Sequence, residues 1–219
     1  MPEVRHCSPH SRFYVITDRS LCFPCPLYDV IHGLLDAGVS TIQLREKDLG
    51  ETEFIKLAHP ISKLCRAYSA RLFINTRIQV AMELRADGIH LPGDSASVRE
   101  VIQKMEGRFI IGCSVHTLNE GKTREMEGAD FITYSPIYPT ASKPGYGPAV
   151  GLDNLQKVTE EVKIPVFALG GITPERISEC RHAGAYGVAV MSGVMSPEHG
   201  AQRARAYLQQ LAGNRERIS

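Results

Sequence analysis

Glu127-Gly128-Ala129-Asp130-Phe131-Ile132-Thr133-Tyr134 joins a helix end, a glycine turn and a short apolar strand. Glycine after a helix supplies the left-handed cap, and a parallel strand buried on both faces reads as an unbroken apolar run. The same order recurs along the chain. Ala37-Gly38-Val39 precedes a strand over 40–44, Arg85-Ala86 one over 87–91, and Ala183-Gly184-Ala185 one over 186–190. Four further strands are predicted over 13–17, 71–75, 109–113 and 165–169. Apolar residues at three- and four-residue spacing predict helices between them, over 27–35, 53–68, 78–84, 96–105, 118–127, 152–162, 174–183 and 198–211. Thr173-Pro174-Glu175 reads as a helix start, with an N-cap, proline at the first helical position and then an acid.

Strands and helices thus alternate as eight units with no linker or break in composition. Alternation implies a parallel sheet covered by helices, and eight units in roughly 200–250 residues are what a (β/α)8 TIM barrel requires. A doubly wound open sheet is the alternative. The expectation is one α/β domain over 1–219, with about the first eleven and last six residues as flexible tails.

Composition bounds the function. Apolar content of 43% and charged content of 22% describe an ordinary globular chain. With 25 basic against 24 acidic residues there is no basic run for nucleic acid, and no apolar stretch is long enough to span a bilayer. The N-terminus lacks the apolar core of a signal peptide, so a cytoplasmic protein is expected. The six cysteines read as scattered thiols rather than a disulfide framework. Cys22-Phe23-Pro24-Cys25, near His6, Cys7 and His10, leaves a redox pair or a zinc site as the less favoured options.

Barrel enzymes place their chemistry at the C-terminal strand ends. Those ends carry Gln43, Arg45 and Lys47; Asn75, Thr76 and Arg77; His90, Asp94 and Ser95; Ser114 and His116; Thr140, Ser142 and Lys143; Gly170-Gly171; and Met191-Ser192-Gly193. Arg45 and Lys47 alternate along an extended segment, so their cations share a face and suit a diphosphate. Gly170-Gly171 and Ser192-Gly193 suit a phosphate held by backbone N–H groups between the last two loops. Pro136, Pro139 and Pro144 stiffen the segment bearing Thr140, Ser142 and Lys143. Lys143 lies nine residues past Tyr134, too far from the strand for a desolvated Schiff-base lysine. His90 and His116 are the imidazoles at this end, each either a general base or a hydrogen-bonded structural residue.

These residues fall into ordered motifs: Gln43-Leu44-Arg45-Glu46-Lys47, Gly112-Cys113-Ser114-Val115-His116-Thr117, Pro136-Ile137-Tyr138-Pro139-Thr140-Ala141-Ser142-Lys143, Ala168-Leu169-Gly170-Gly171-Ile172 and Val188-Ala189-Val190-Met191-Ser192. Through them, residues 12–195 resemble the thiamine-phosphate synthase/TenI family of barrels. The resemblance implies a transferase joining hydroxymethylpyrimidine diphosphate to thiazole phosphate, giving thiamine phosphate and pyrophosphate. Arg45, Lys47 and Lys143 would be catalytic, acting with Gln43, Asn75 and Ser114 on the pyrimidine and its diphosphate. Thr140, Ser142, Gly171, Met191 and Ser192 would hold the thiazole phosphate. Mg2+ would enter with the diphosphate. Two aspartates that hold it in the synthases are Thr76 and Ser95 here, which leaves the adjacent Asp94 as a replacement ligand. The segments around Asn75-Thr76-Arg77 and His90-Leu91-Pro92-Gly93 look more like the TenI branch, a thiazole tautomerase, whose catalytic histidine falls on Pro136. A tautomerase, or a non-catalytic binder of thiazole or thiamine phosphate, is therefore the alternative. The partners implied are the two phosphorylated small molecules, without nucleic acid or membrane, and a homo-oligomer stays open.

Overall fold

In a computed structural model, residues 11–95, 97–104, 109–140 and 148–213 are described. The expected flexible tails, and the candidate site residues Ser142 and Lys143, fall outside the described residues, apart from Ser11. Eight strands alternate with eight helices: β1 (Phe13–Ile16), α1 (Leu27–Asp36), β2 (Thr41–Leu44), α2 (Glu51–Ala67), β3 (Arg71–Asn75), α3 (Ile78–Glu83), β4 (Gly88–Leu91) and α4 (Val98–Lys104), then β5 (Ile110–Val115), α5 (Leu118–Glu127), β6 (Phe131–Tyr134), α6 (Gly151–Glu161), β7 (Val166–Leu169), α7 (Ile177–His182), β8 (Gly187–Val190) and α8 (Gly200–Gly213). Every strand pairs in parallel with its sequence neighbours, and β1 also pairs with β8, which closes the barrel. Closure rules out the open doubly wound sheet. Among the described residues no helix is long and apolar enough to cross a membrane.

Register divides each strand into two sets. Val15, Ile42, Ile74, Ile111, Ile132 and Val188 belong to the large apolar layer between sheet and helices. Tyr14, Ile16, Phe73, Phe131, Phe167, Leu169 and Ala189 fill the barrel interior as a separate cluster. Their rings interlock edge to face: Tyr14 meets Phe73 and Phe131 with centroids 5.5 and 5.4 Å apart. The strand patterns are buried on both faces, as apolar runs without alternation require.

The caps follow the predicted glycines. Gly38, Gly128 and Gly184 have φ of +99°, +100° and +85°, the left-handed conformation that costs glycine nothing. Where the chain has no glycine, Arg85 takes the same conformation at φ +48°. One helix start and one strand end differ from expectation. Thr173 is extended and Pro174 opens the next turn, but residues Pro174–Arg176 form a 3-10 turn before α7. Thr173 makes no side-chain capping hydrogen bond. β5 runs two residues beyond the predicted end, to Val115, and so carries Ser114 within the strand.

Candidate active site

The C-terminal strand ends open into one cavity of about 1190 Å3. The sequence-predicted residues Gln43, Arg45, Lys47, Asn75, Asp94, Ser114, Thr140, Gly171, Met191 and Ser192 all line it. Strand parity explains the first group: Gln43 pairs with Phe73 and Ile16 at inward positions, so Arg45 and Lys47 continue the same face into the loop. Gln43 is buried, Arg45 half-buried and Lys47 exposed, which grades the wall from barrel interior to solvent.

The loop after β2 is tied to the loop after β1. The Thr17 hydroxyl donates to Glu46 Oε1 at 2.6 Å and accepts from the Arg45 N–H at 2.9 Å. Arg19 N–H donates to Glu46 Oε2 at 3.1 Å. The loop after β5 is locked by a reciprocal cap: Glu120 N–H donates to Thr117 Oγ1 at 3.2 Å, and His116 N–H donates to Glu120 Oε2 at 2.6 Å. His116 Nδ1 donates to the Ser135 carbonyl at 2.8 Å, which puts the ring's basic lone pair on Nε2. His90 is instead buried in the barrel and hydrogen-bonded, the structural member of the two readings.

Across the mouth, Gly170 and Gly171 have φ of +98° and +64° and leave no room for a side chain. A Cβ on Gly171 would stand 2.8 Å from Tyr138 Cβ and 2.9 Å from the Pro139 carbonyl. Arg176 Nη1 donates to the Gly171 carbonyl at 2.6 Å while its guanidinium lies 4.3 Å from the centre of the Tyr138 ring. Tyr207 of α8 donates to the Ile172 carbonyl at 2.8 Å. These bonds present a fixed backbone beside Ser192 and Gly193, the geometry that suits an anion.

The described residues contain no group of three or more His, Cys, Asp or Glu placed to hold a metal. Asp94 is the exposed carboxylate on this wall. Ser95 does not join it. Arg124 Nη2 donates to the Gly93 and Ser95 carbonyls at 2.8 and 3.3 Å and lies 3.5 Å from Ser95 Oγ, so the serine belongs to a smaller cavity beside α5. Thr76 is exposed, accepting from Asn75 Nδ2 at 2.8 Å. One carboxylate still fits Mg2+, which completes its shell with substrate phosphates and water. Burial pushes the Cys22 thiol up to about 11, a protonated state that does not suit redox chemistry, while His6, Cys7 and His10 lie outside the described residues.

Sequence reasoning missed the outer wall contributed by α8. Gln202, Arg203 and Ala206 of α8, with His199 just before it, line the cavity at three- and four-residue spacing, a signal visible in the sequence. It also missed Tyr14, one of four consecutive buried residues with no alternation to reveal its direction.

A family model described as thiamine monophosphate synthase matches residues 13–194. The thiamine-phosphate synthase of Methanospirillum hungatei is 37% identical over 186 residues, covering 84% of this chain and 90% of that protein. That of Pyrococcus horikoshii is 36% identical over 187 residues, covering 85% and 88%. An Aquifex aeolicus protein provisionally assigned the same name is 45% identical over 181 residues, covering 83% and 96%. Among solved structures, thiamine phosphate pyrophosphorylase from Pyrococcus furiosus superposes with a TM-score of 0.82 at 31% identity, covering 92% and 95%.

Proposed function

The chain belongs to the thiamine monophosphate synthase family, and from that membership we propose that it joins hydroxymethylpyrimidine diphosphate to thiazole phosphate, releasing pyrophosphate. The observation that carries the reading is the pairing, in one cavity, of a cationic wall with a glycine-lined backbone wall. In the reaction the thiazole nitrogen forms a bond to the pyrimidine's methylene carbon. The carbon–oxygen bond to diphosphate breaks, and its electron pair leaves on the diphosphate.

Arg45 and Lys47 meet that developing charge, and fixed cations in a partly dry site act most strongly where charge appears. Lys143 joins them on its motif alone. Gln43, Asn75 and Ser114 hold the pyrimidine, while Thr140, Ser142, Gly171, Met191 and Ser192 anchor the thiazole phosphate. Anchoring both partners turns a bimolecular encounter into a positioned one. Asp94 would hold Mg2+ against the diphosphate, and the ion would supply further charge neutralisation there. The same proposal includes the cytoplasmic location expected from the sequence.

The test is formation of thiamine phosphate from the two substrates with Mg2+. Arg45→Ala and Lys143→Ala are each expected to lower kcat by about 10²–10³-fold, the cost of removing one charge-stabilising donor. A wild-type protein that makes no product with both substrates saturating would overturn the assignment. One observation favours a second reading: His116 stands at the cavity wall with Nδ1 on the Ser135 carbonyl, where an isomerase of carboxythiazole phosphate would need an imidazole. Supplying that compound alone separates the two.

A further inference from the structure

Helix α5 buries two of its residues, Gly121 and the charged Arg124. A guanidinium is costly to bury unless it is paired, so the partners of Arg124 show what its burial achieves. Nη2 donates to the Gly93 carbonyl at 2.8 Å and to the Ser95 carbonyl at 3.3 Å. Those two carbonyls stand immediately before and after Asp94 in the chain. Nη1 donates to Glu127 Oε2 at 3.0 Å, and the same oxygen accepts the Val98 N–H at 3.1 Å. Arg124 and Glu127 thus hold the segment after β4 at two points, one around Asp94 and the other at the first residue of α4.

This segment is a partition between two cavities. Ser95 N–H donates to the Pro92 carbonyl at 3.2 Å, closing a tight turn with Gly93 and Asp94 at its corner. A Cβ on Gly93 would stand 3.3 Å from the Ser114 carbonyl, so the turn lies close against β5. Gly93 lines both cavities. Asp94 lines the large one, whereas Ser95, Arg124 and Glu127 line the smaller one of about 370 Å3. The clamp therefore grips the backbone from behind, on the side away from the substrates.

Asp94 is exposed, and its carboxylate hangs on only two torsions. Fixing the backbone on both sides of such a short side chain limits where the carboxylate can go. A ligand held in advance gives up less freedom on binding. Arginine suits the task because its planar fork aims Nη1 and Nη2 at different partners, whereas lysine brings a single point charge.

We infer that Arg124 is a positioning residue for the metal end of the diphosphate site. By clamping the carbonyls on either side of Asp94, it holds that carboxylate ready for Mg2+. This rests on the functional reading above and deepens it. Partners that orient a metal ligand from behind are commonly worth about 10–100-fold in metal affinity.

The test titrates inorganic pyrophosphate at increasing Mg2+, and in EDTA, against wild type, Arg124→Met, Arg124→Lys and Asp94→Asn. Wild type is expected to bind more tightly with Mg2+. Arg124→Met should raise the half-saturating Mg2+ by at least about tenfold. It should bind pyrophosphate in EDTA as wild type does, because Arg45 and Lys47 are untouched. Arg124→Lys should recover part of the Mg2+ response. Adding Arg124→Met to Asp94→Asn should weaken that response no further, since the ligand to be positioned is already gone. Arg124→Met with Glu127→Gln leaves neither charge without its partner and carries the same expectation if the single variant does not fold. An unchanged Mg2+ response on losing Arg124, an equal loss in EDTA, or a wild type indifferent to Mg2+ would overturn the inference. Hydrogen exchange at residues 93–98 reads the clamp with no metal present. Exchange there should be faster without Arg124, and equal exchange overturns the proposal. A wild type that forms no thiamine phosphate would instead count against the functional reading, while the Mg2+ response of pyrophosphate binding still judges Arg124.

Discussion

At Glu46 the chain carries a carboxyl group into the barrel, with 4% of the residue exposed. Desolvation pushes its pKa up, against hydrogen bonds from Thr17 and Arg19 that pull it down. A folded pKa above the unfolded value of about 4.3 means that protonated Glu46 favours folding. That contribution is fully present below the unfolded pKa and is lost as pH rises through the folded value. The Tm of wild type minus that of Glu46→Gln should therefore fall as pH rises from about 4. Thermal unfolding over rising pH checks it. A difference that grew with pH would mean that Arg19, 3.9 Å away, stabilises the anion more than burial penalises it. The functional stake is Arg45, whose N–H shares Thr17 Oγ1 with this carboxyl.

Among elements, the strand starts are joined by a repeated device. Asp130, just before β6, accepts the Ile111 N–H of β5 on its carboxylate at 2.7 Å, and its own N–H donates to the Ile111 carbonyl at 2.8 Å. Asp87, just before β4, does the same for Leu72 of β3 at 2.8 and 3.0 Å. Asp130→Ala leaves a strand N–H without its acceptor, which costs about 1–3 kcal/mol when the group is kept from water. Urea unfolding should show a lower midpoint with the slope unchanged. Pyrophosphate affinity should stay at the wild-type value, because these aspartates sit at the strand ends opposite the cavity. A midpoint equal to that of wild type would show that the two carboxylates carry no structural weight.

For the whole molecule, the decisive property is that the cationic wall after β2 and the glycine-lined wall after β7 and β8 face one cavity. At about 1190 Å3 the space exceeds the roughly 300–1,000 Å3 of single-ligand pockets. Pyrophosphate and thiazole phosphate should therefore bind together. Each at about 100 times its Kd adds about 2.7 kcal/mol of apparent stability, so the pair should raise Tm more than either alone. If saturating one erased the shift from the other, both would be using a single subsite.

Much of this was legible in the residues. The repeated small-residue turns placed four of the eight strands, apolar runs placed the other four, and the alternation of Arg45 and Lys47 put two cations on one face. Ser95 was not legible: it was expected at the open mouth, but Arg124 from α5 draws it to another cavity. Nor was the inward direction of Tyr14, since a strand buried on both faces carries no period of two. Turns, caps and apolar periodicity are written in neighbouring residues, so the sequence by itself determined the order of elements and their parallel sheet, while the pairing of β1 with β8 that closes it belongs to the tertiary structure. The hydrogen-bond partners of His90 come from other strands, Tyr14 lying 76 residues away. Only packing those strands into a barrel decided that this imidazole is buried and hydrogen-bonded, because both depend on partners that no local pattern names.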